Sequence, residues 1–382
     1  MNKKKIKILG SGPTGSLLAL NLASSNCEID LIEPLNDLEL TLKDKGYAIT
    51  QSSRRIFEEL GLWTKLKEYT VGFSSLSIID DVLSNSALVR KSDLKNLNKE
   101  ENNIGWVIEH KHLMAILLNS IKNNNYINKL KSDRTHNNSF DFVLAADGRD
   151  SLSRKKWKIY YYKSLYNQRC ISFRAVLKQA PRKRAYEIFR HEGPLALLPL
   201  ENNIYQIIWF SSIAQTKSKL QLTNHQLLKR LESILPDKIK AESIVSEISN
   251  YSIAKAFAFP KFSKFREMLV GDSAHSFHPV GGQGLNACIR DIYELCNMIR
   301  KYEQSSIIYQ RFFSLIFFLK RFSDIFSLII FTDFLIRFFS NRSIILYPFR
   351  SVIFYMLRKF KFLRVQVFSL MTDSIKRYKS HI

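Results

Sequence analysis

LVGDSAHSFHPVGGQGLNACIRDIYEL, residues 269–295, contains a strand end, a polar turn, a glycine loop and a helix in one segment. The apolar residues Met268, Leu269 and Val270 predict a short buried strand. This strand delivers Gly271 and Asp272 to its carboxyl end, where open α/β sheets bind their ligands. The segment therefore predicts an Asp272 carboxylate aimed at a sugar-like hydroxyl.

A glycine loop follows this turn. Pro279 ends the local structure, and Gly281, Gly282 and Gly284 allow the backbone to lie flat against a planar ligand. From Leu285 onward the periodicity is helical, so a helix amino terminus faces the occupant of the loop. That terminus carries roughly half a positive charge and several free amide donors. It suits a group that becomes anionic during turnover, such as the ring of a reduced flavin.

The two histidines of the segment leave a second interpretation open. His275 and His278 have the spacing of a metal pair. A metal site needs further His, Cys or acidic ligands in a closed cluster, and the neighbouring sequence shows neither a third ligand nor such a cluster. We therefore predict no metal site.

The amino terminus predicts a βαβ dinucleotide unit. Residues 5–34, KIKILGSGPTGSLLALNLASSNCEIDLIEP, contain a strand, a G-x-G-x-x-G turn, a helix and a second strand. Gly10 makes the tight turn, Gly12 lets the backbone approach a pyrophosphate, and Gly15 lets the helix pack on the strand. This combination of strand, turn and helix is far more specific than the glycines alone.

Three further residues of this unit are candidate cofactor contacts. Pro13 and Thr14 open the helix whose amino terminus faces the phosphates. Glu33 ends the second strand at the distance from the turn that is typical of the acid binding the adenosine ribose. NAD and FAD share this adenosine diphosphate half, so the unit alone does not distinguish them.

The later segment resolves that ambiguity by resemblance. GDSAHSFHPVGGQGLN, residues 271–286, resembles the second FAD-binding motif of the flavin-dependent aromatic hydroxylases, especially the branch that hydroxylates ubiquinone precursors. The resemblance implies that Gly271 and Asp272 bind the ribityl and ribose side of FAD. It also implies that the loop from Pro279 to Asn286, including Leu285, lines the flavin ring.

Two basic residues are candidate FAD contacts between these motifs. In the resembling family an arginine two residues before a position like Tyr47 helps hold FAD. Lys45 takes that place here and keeps the charge, but it lacks the bidentate fork of arginine. Arg54 is a candidate phosphate contact, and ordinary helix ion pairing with Glu58 or Glu59 is the alternative.

An Asp-Gly turn is the third motif. AADGRDSLSR, residues 145–154, resembles the family's DG motif, which implies that Asp147, Gly148 and Arg154 lie near the flavin phosphate and the approach of NAD(P)H. The alternative is a strand followed by an ordinary Asp-Gly turn. The ordered set of three motifs favours the functional interpretation.

The chain changes character between residues 166 and 210. Apolar or alternating runs separated by turn residues predict a mainly antiparallel sheet. In the resembling family this sheet covers the flavin and supplies the substrate pocket, so Gly193 and Pro194 are candidate pocket residues. The resemblance implies no metal and no catalytic triad, because the cofactor carries the chemistry.

These observations predict an α/β fold with interleaved domains. A Rossmann-like FAD-binding domain is expected in three pieces, an antiparallel-sheet substrate domain in two, and a basic, aromatic-rich helical region at the carboxyl end. The boundaries are 1–72, 101–160 and 255–305 for the first domain, 73–100 and 161–254 for the second, and 306–382 for the third.

The carboxyl-terminal region has two interpretations. Its apolar sequence is interrupted by charges such as Lys320, Arg321, Asp324 and Asp333 before reaching the roughly 20 residues that span a bilayer. Basic residues interleaved with aromatics are typical of helices that lie on an anionic membrane surface. The alternative is a helical cap packed on the FAD domain, and both remain open.

Composition restricts the partners. The 58 Lys and Arg against 34 Asp and Glu give a net charge of +24, which favours an anionic partner. No nucleic-acid motif is present, so a membrane surface is the preferred partner, with biased genomic base composition as the alternative explanation. Four scattered cysteines without a C-x-x-C pair, and no apolar signal segment, favour a cytoplasmic setting on the inner face of a membrane.

The sequence thus predicts an FAD-dependent monooxygenase that hydroxylates an aromatic, prenylated quinone precursor with NAD(P)H and molecular oxygen. Two alternatives stay open. The same scaffold serves reductases of isoprenoid lipids and halogenases. The second alternative is a non-catalytic flavin-binding subunit of a quinone-biosynthesis complex, which is favoured by Lys45 and by a shortened segment between residues 123 and 141.

Overall fold

A computed structural model describes residues 3–25, 27–93, 102–132, 139–236, 238–260, 262 and 266–372. Much of the shortened segment 123–141 is described, but residues 133–138 lie outside this set. The same holds for residues 94–101, at the expected boundary between two domains, and for residues 373–382 of the carboxyl-terminal region.

The described strands form three sheets. They are β1 (Lys5–Leu9), β2 (Glu28–Ile32), β3 (Gly46–Ile49), β4 (Thr70–Phe73), β5 (Ser75–Asp80), β6 (Asn85–Arg90), β7 (Gly105–Glu109), β8 (Ile127–Leu130), β9 (Phe142–Ala145), β10 (Tyr161–Lys178), β11 (Arg184–Phe189), β12 (Leu195–Pro199), β13 (Ile204–Ser212), β14 (Lys240–Ile244), β15 (Ser249–Ala258), β16 (Glu267–Leu269) and β17 (His275–Ser276).

The described helices pack on these sheets. They are α1 (Pro13–Ala23), α2 (Asp37–Thr41), α3 (Gln51–Glu59), α4 (Trp63–Lys67), α5 (His110–Lys122), α6 (Leu152–Lys156), α7 (Ile213–Leu220), α8 (Asn224–Glu232), α9 (Gln283–Arg300), α10 (Ile307–Arg311), α11 (Phe313–Phe339), α12 (Tyr347–Lys359) and α13 (Lys361–Thr372).

The first sheet is parallel, with the strand order β16-β9-β1-β2-β8. Its centre is buried, and Ile6 and Ile8 of β1 are fully buried in one core with residues of α1 and α5. The parallel order places the carboxyl ends of β1, β9 and β16 side by side at one edge of the sheet. The turns that follow these three strands are the three sequence motifs, so the fold brings them together, as a Rossmann-like domain requires.

The second sheet has the order β17-β15-β10-β13-β12-β11-β5-β6, and β14 also pairs with β10. All its pairs are antiparallel except β5 with β11. One face carries Ile171, Leu195 and Trp209 and is covered by α8. The opposite face points toward the glycine loop, because Val280 packs against Ile78 there. The predicted mainly antiparallel sheet is therefore confirmed.

The two sheets are interleaved more closely in sequence than the predicted domain boundaries imply. Strand β15 continues through Ala258, past the expected boundary at residue 255. Strand β17, inside the GDSAH segment, pairs with β15 at Ala256 and Phe257. The segment that follows the parallel sheet therefore also forms the edge of the antiparallel sheet.

The carboxyl-terminal helices pack against both sheets. Phe313 and Phe317 of α11 are buried in the core of the parallel-sheet half, and Leu335 and Phe339 are buried against the second sheet. The predicted helical cap is thus present. Among the described residues, no helix combines the length and apolar character needed to cross a bilayer.

Candidate active site

The glycine-rich turn leads directly into α1. A β-carbon at Gly15 would lie 1.8 Å from the carbonyl oxygen of Gly10, so only glycine permits this contact of helix and strand. A β-carbon at Gly12 would meet no atom within 4 Å. Gly12 is the N-cap residue of α1, and it has no side chain that could satisfy the first amides of the helix. Pro13 opens α1 and has no amide hydrogen, so the first free amide donors, from Thr14 onward, border open space, as an incoming phosphate requires.

Glu33 holds this turn in place. Its carboxylate accepts hydrogen bonds from the backbone amides of Ser11 at 2.7 Å and Leu35 at 3.1 Å, and the side chain is buried. A carboxylate has about four acceptor positions, so these bonds leave capacity for ribose hydroxyls. The ribose role of Glu33 stays a prediction, and its structural role is a finding.

The Asp-Gly turn lies next to the glycine-rich turn, because a β-carbon at Gly10 would lie 2.8 Å from the Cα of Asp147. Asp147 Oδ2 accepts a hydrogen bond from the amide of Ser153 at 2.9 Å. In the described part of the chain its Oδ1 is buried without a partner. Gly148 borders open space. A hydroxyl or amide donor of a ligand would satisfy Asp147 Oδ1.

Arg154, expected near the flavin phosphate by resemblance, connects two motifs. Its guanidinium donates to the carbonyl oxygens of Ser273 at 2.7 Å and Arg149 at 2.9 Å, and it lies 3.6 Å from the centre of the Tyr161 ring. The side chain is buried. Arg154 therefore fixes the Asp-Gly turn to the GDSAH segment.

Gly271 and Asp272 sit where the three motifs meet. A β-carbon at Gly271 would lie 2.9 Å from Thr14 Cγ2, so the GDSAH segment touches the start of α1. The Asp272 side chain is exposed, and the thiol of Cys288 donates to its Oδ1 at 3.4 Å. Its free carboxylate oxygens are available to sugar hydroxyls.

Lys45 borders the same cleft. Its surface is accessible to solvent, yet the surrounding protein lowers the pKa of Lys45, while the negative charge of Asp272 acts in the opposite direction. Its ammonium lies 5.1 Å from the centre of the Tyr47 ring. Tyr47 is hydrogen bonded to His110 Nδ1 at 2.9 Å, and His110 Nε2 bonds the carbonyl of Leu40. Both ring nitrogens of His110 are therefore engaged in hydrogen bonds within the protein.

Arg54 forms the ion pair that was the alternative to phosphate binding. Its Nη1 lies 3.3 Å from Glu58 Oε1, one helical turn away, and its guanidinium lies 5.4 Å from the centre of the Trp106 ring. Ordinary ion pairing on the helix therefore occurs at this residue. A role in FAD binding remains a prediction for this residue.

The glycine loop has a left-handed backbone at two successive residues. Gly281 has φ 74° and Gly282 has φ 66°, a conformation that other residues rarely adopt. The amide of Gly282 donates to the carbonyl of Pro279 at 3.0 Å, which closes the turn. Helix α9 then starts at Gln283 without a side-chain cap, so its amino terminus is free to face a ligand.

Asn286 clamps this loop to the preceding elements. Its Nδ2 donates to the carbonyl oxygens of Ala48 at 2.8 Å and Gly282 at 2.9 Å. Its Oδ1 accepts from the amide of Thr50 at 3.1 Å and the hydroxyl of Ser53 at 2.7 Å. Asn286 was expected to contact the cofactor, but its hydrogen bonds position the loop. Gly284 borders open space and Leu285 is half-buried.

The two histidines of the segment make hydrogen bonds within the protein. His278 is buried, and burial lowers its pKa to about 3, so the ring is neutral. Its Nδ1 accepts the amide of Val280 at 3.2 Å, and its Nε2 bonds Gln168 Oε1 at 3.3 Å. His275 Nε2 lies 2.8 Å from the carboxylate of Asp291. In the described residues no cluster of three metal-ligating side chains occurs.

A buried charge network behind the GDSAH segment was not predicted from the sequence. Asp291 accepts the amide of Gly271 at 3.2 Å and the Arg321 Nε at 2.6 Å. Arg321 also contacts Asp324 at 2.6 Å, and Asp324 receives Arg290 Nε at 3.1 Å. All these side chains are buried. The network ties α11 to the turn that carries Asp272.

The candidate pocket residues Gly193 and Pro194 lie beside β13. The Pro194 carbonyl accepts the amide of Phe210 at 3.0 Å, and a β-carbon at Gly193 would lie 2.8 Å from the Phe210 carbonyl. The centres of the Phe210 and His278 rings are 4.7 Å apart. The turn thus lies one side chain away from the glycine loop, and its pocket role remains a prediction.

This set of residues fits FAD. Two uncapped helix starts, α1 and α9, border one cleft with the exposed carboxylate of Asp272 and the buried, unpartnered oxygen of Asp147. The α1 start suits the pyrophosphate, and Asp272 suits the ribityl hydroxyls. The α9 start suits the ring, whose reduced form carries negative charge.

Comparisons with known proteins agree with this geometry. The family model described as FAD binding domain matches residues 3–305. The ubiquinone hydroxylase UbiM of Neisseria meningitidis is 24% identical over 319 residues, covering 78% of this chain and 69% of that protein. The ubiquinone biosynthesis monooxygenase COQ6 of Schizosaccharomyces pombe is 26% identical over 375 residues, covering 77% and 76%.

Among solved structures, the p-nitrophenol 4-monooxygenase PnpA from Pseudomonas putida has a TM-score of 0.75 at 14% identity, covering 98% of this chain and 99% of that one. At that identity the likeness shows the fold alone. The family match spans most of the chain and includes the three motifs of the cleft. The chain therefore belongs to the FAD-binding domain family, and it is an FAD-dependent aromatic monooxygenase.

Proposed function

We propose that the protein hydroxylates the ring of a phenolic quinone precursor that carries a prenyl chain, with NAD(P)H as the reductant. Bound FAD supplies the activation of molecular oxygen. The observation that carries the proposal is the position of the glycine loop, between the start of α9 and the inner face of the second sheet. A substrate ring held against that face lies next to the backbone of Gly281 and Gly282.

The sheet face offers the mixed chemistry that a prenylated phenol needs. Ile208 and Ala196 are apolar, while Ser172 and Gln206 are buried polar residues on the same face. In the described chain, the Oε1 of Gln206 is buried without a partner. The relatives UbiM and COQ6 bear the names of enzymes acting in ubiquinone synthesis. Together these features support a phenol with an apolar substituent.

The site assignment is tested by its effect on FAD content. Gly12→Val would push a side chain into the space of the pyrophosphate, and Asp272→Ala would remove the acceptor for sugar hydroxyls. Both variants are expected to purify with less FAD than the wild type, whereas Glu201→Gln, an exposed change on the second sheet, should retain it. Wild-type FAD content in both variants would reject the assignment.

The reaction is tested with labelled oxygen gas. NAD(P)H oxidation should be slow alone and faster with a prenylated phenol, and one labelled oxygen atom should enter the product. Replacing Gly282 with a bulky residue should lower hydroxylation, since its β-carbon would lie 3.0 Å from that of Ala48. Oxygen from water in the product, or substrate reduction without oxygen uptake, would favour the reductase alternative.

We also propose that the protein docks on an anionic membrane surface, from which such a substrate is taken. Along α11 the exposed apolar side chains recur every three or four residues and so form one face. This stripe consists of Leu315, Leu319, Phe322, Phe326, Ile330 and Phe334. Exposed apolar patches of this kind mark interaction surfaces.

The charge around the stripe favours a lipid surface. Lys320 and Arg337 lie on the same helix as the stripe, where each also pairs with an acid, and α12 ends with Arg358 and Lys359 before Lys361. Basic residues next to an apolar helix face are attracted to acidic lipid headgroups. The peripheral membrane localisation expected from the sequence rests on this proposal. The alternative partner for the stripe is another protein of a quinone-biosynthesis complex.

Co-sedimentation with vesicles tests the docking surface. The protein should bind vesicles containing phosphatidylglycerol more strongly than pure phosphatidylcholine vesicles, and high salt should release part of it because salt screens charges. Phe322→Ser with Phe326→Ser should weaken binding without changing FAD content. Equal binding to both vesicle types, or unchanged binding of the double variant, would reject the surface.

A further inference from the structure

Glu187 is a buried acid on the inner face of the second sheet. It lies on β11, opposite Ala196 on β12 and Ile78 on β5, and its side chain is 5% exposed. Facing residues of paired strands share one face, so Glu187 shares its face with Ile78, which packs against Val280. Glu187 therefore points toward the glycine loop and not into the apolar core under α8.

The carboxyl group of Glu187 lies next to the glycine loop. The backbone amide of Gly281 is close enough to it to lower its pKa. In the described chain, the Oε1 atom of Glu187 is buried and has no hydrogen-bond partner. A buried acceptor of this kind is normally satisfied by a donor. The free oxygen lies beside the loop that we assign to the flavin ring, where a substrate hydroxyl would supply that donor.

Among the described residues, the buried acids other than Glu187 and Glu33 pair with an arginine, and Glu33 accepts two backbone amides. Asp80 pairs with Arg350, and Asp93 pairs with Arg364 at 2.8 Å. Within the described residues no salt bridge reaches Glu187. Ile78 and Ala196, which face Glu187 from the paired strands, do not titrate, and neither does the nearby Gly281 backbone. Asp80 lies on the same face two residues from Ile78, and its charge is balanced by Arg350 of α12.

The absence of a cation among these neighbours changes the acidity. Burial raises the pKa of Glu187 to about 7, and the backbone amide of Gly281 acts in the opposite direction. A general base works best when its affinity for protons matches the operating pH. Glu187 thus changes protonation state close to neutrality, beside the expected position of the substrate ring.

We propose that Glu187 is the catalytic base that accepts the proton of the phenolic hydroxyl of the substrate. The O–H bond breaks, its proton goes to Glu187 Oε1, and its electron pair stays on the phenolate oxygen. The phenolate raises the electron density of the ring carbon that receives the new oxygen. That carbon then loses its own hydrogen as a proton, and the neutral Glu187 returns its proton to solvent or product.

This inference rests on the proposed function, and it has a test that needs no turnover. The probe is 4-nitrophenol, which is yellow only when it is ionised, bound to holoprotein without NAD(P)H. Its colour is followed as the pH is raised, and holoprotein without the probe serves as the blank. If Glu187 and the bound phenol share one proton, the two groups titrate as a coupled pair. Yellow colour should then appear in two steps separated by a plateau as the pH rises.

Glu187→Gln is the decisive variant, since the amide has the same shape and keeps an acceptor for Gly281. The bound probe should titrate in a single step in this variant. Glu187→Asp should regain two steps in part, and Glu201→Gln, an exposed change on the same sheet, should behave as the wild type. A single step in the wild type, or two steps in Glu187→Gln, would overturn the proposal.

Turnover gives the second measurement. The rate of hydroxylation by the wild type should rise with pH through about 7, because only the ionised carboxylate accepts a proton. Glu187→Gln should lower kcat by about 100-fold and flatten this pH profile, while NAD(P)H oxidation continues. An unchanged kcat in Glu187→Gln would overturn the role of Glu187. No hydroxylated product from any variant or the wild type would overturn the proposed function, and the titration would still decide on Glu187.

Discussion

Two buried acids lie on opposite sides of the segment from Gly271 to Gly282, and they differ in their partners. Asp291, the saturated acid, receives the amide of Gly271, His275 and Arg321, so both oxygens of its carboxylate are hydrogen bonded. Glu187, the unsaturated acid, lies beside the amide of Gly281, and within the described residues its Oε1 has no partner. The first arrangement holds the backbone of the site in place, whereas the second leaves an unsatisfied group where chemistry is expected. Proteins accept such local costs mainly at functional sites.

The largest expected effect comes from removing a partner of the saturated acid. Arg321→Met leaves Asp291 and Asp324 buried with one cation fewer. An uncompensated buried charge typically costs about 3–5 kcal/mol. We expect a loss of that size in the free energy of unfolding, measured by chemical denaturation, together with lower FAD content because Asp291 holds Gly271.

Arg337→Met is the matched control on the same helix. Arg337 contacts Asp333 at 2.8 Å, but its side chain is 73% exposed. Exposed ion pairs contribute roughly 0–1 kcal/mol, so this variant should be close to the wild type. Equal destabilisation by the two changes would show that the buried network has no special role.

The second prediction concerns Glu187, the unsaturated acid. Its replacement should raise the free energy of unfolding, whereas the replacement of Arg321 should lower it. The pKa of Glu187 is about 7 in the folded protein and near 4.5 in the unfolded chain, so the unfolded chain loses this proton first as the pH rises. The stability contributed by Glu187 is complete below pH 4.5 and is lost by about pH 7, a change of about 3 kcal/mol. Glu187→Gln, which does not titrate, should therefore be more stable than the wild type at neutral pH.

Paired unfolding measurements at several pH values check this sign. The difference in the free energy of unfolding between Glu187→Gln and the wild type should be near zero at pH 4.5. It should increase up to about pH 7 and stay constant at higher pH. Exposed Glu201→Gln should show no such dependence. A variant that is less stable than the wild type at pH 8 would place Glu187 among the structural acids.

The sequence predicted the site only where local pattern determines structure. The glycine-rich turn, the Asp-Gly turn and the GDSAH segment each follow a strand, and parallel strands bring such turns together. Arg321 and Asp324 were seen only as charges that interrupt an apolar run. Their burial depends on Asp291 and Arg290, which are distant in sequence, so no local pattern reveals it. The charge of the carboxyl-terminal region is accordingly less available to a partner than its composition indicates.

Glu187 was missed for a related reason. Within AYEIFRHEG it is one polar residue in an alternating strand, which ordinarily predicts a solvent-facing position. The glycine loop and the neighbouring strands cover that face, so the polar residue is buried. For Asn286 the resemblance gave a place in a motif but not the hydrogen bonds to Ala48 and Thr50, and its cofactor contact stays a prediction.

The third prediction extends the comparison to Asn286 and Asp272. Asn286→Ala would remove several hydrogen bonds and leave the Ala48 carbonyl and the Thr50 amide without this partner, which should cost about 2 kcal/mol in unfolding free energy. Asp272→Ala changes an exposed side chain and should alter stability by roughly 0.5 kcal/mol or less. FAD content should nevertheless fall in Asp272→Ala. If Asp272→Ala lost as much stability as Asn286→Ala, the distinction between a residue that holds the loop and one that contacts the cofactor would be wrong.

The smallest expected effect is at Lys45, an open group whose charge is only partly balanced. The surrounding protein lowers the pKa of Lys45 by displacing water from its ammonium group, and the charge of Asp272 opposes this shift. Arginine stays charged in the same surroundings and presents a planar fork to phosphate or carboxylate. Lys45→Arg should therefore retain FAD a few-fold more tightly, corresponding to about 1 kcal/mol, while Lys45→Gln should retain it less tightly. Equilibrium dialysis of FAD from the three proteins measures this order. If Lys45→Arg and Lys45→Gln both bind FAD as the wild type does, the cleft at Lys45 does not touch the cofactor, and the carry-over from the family fails at this residue.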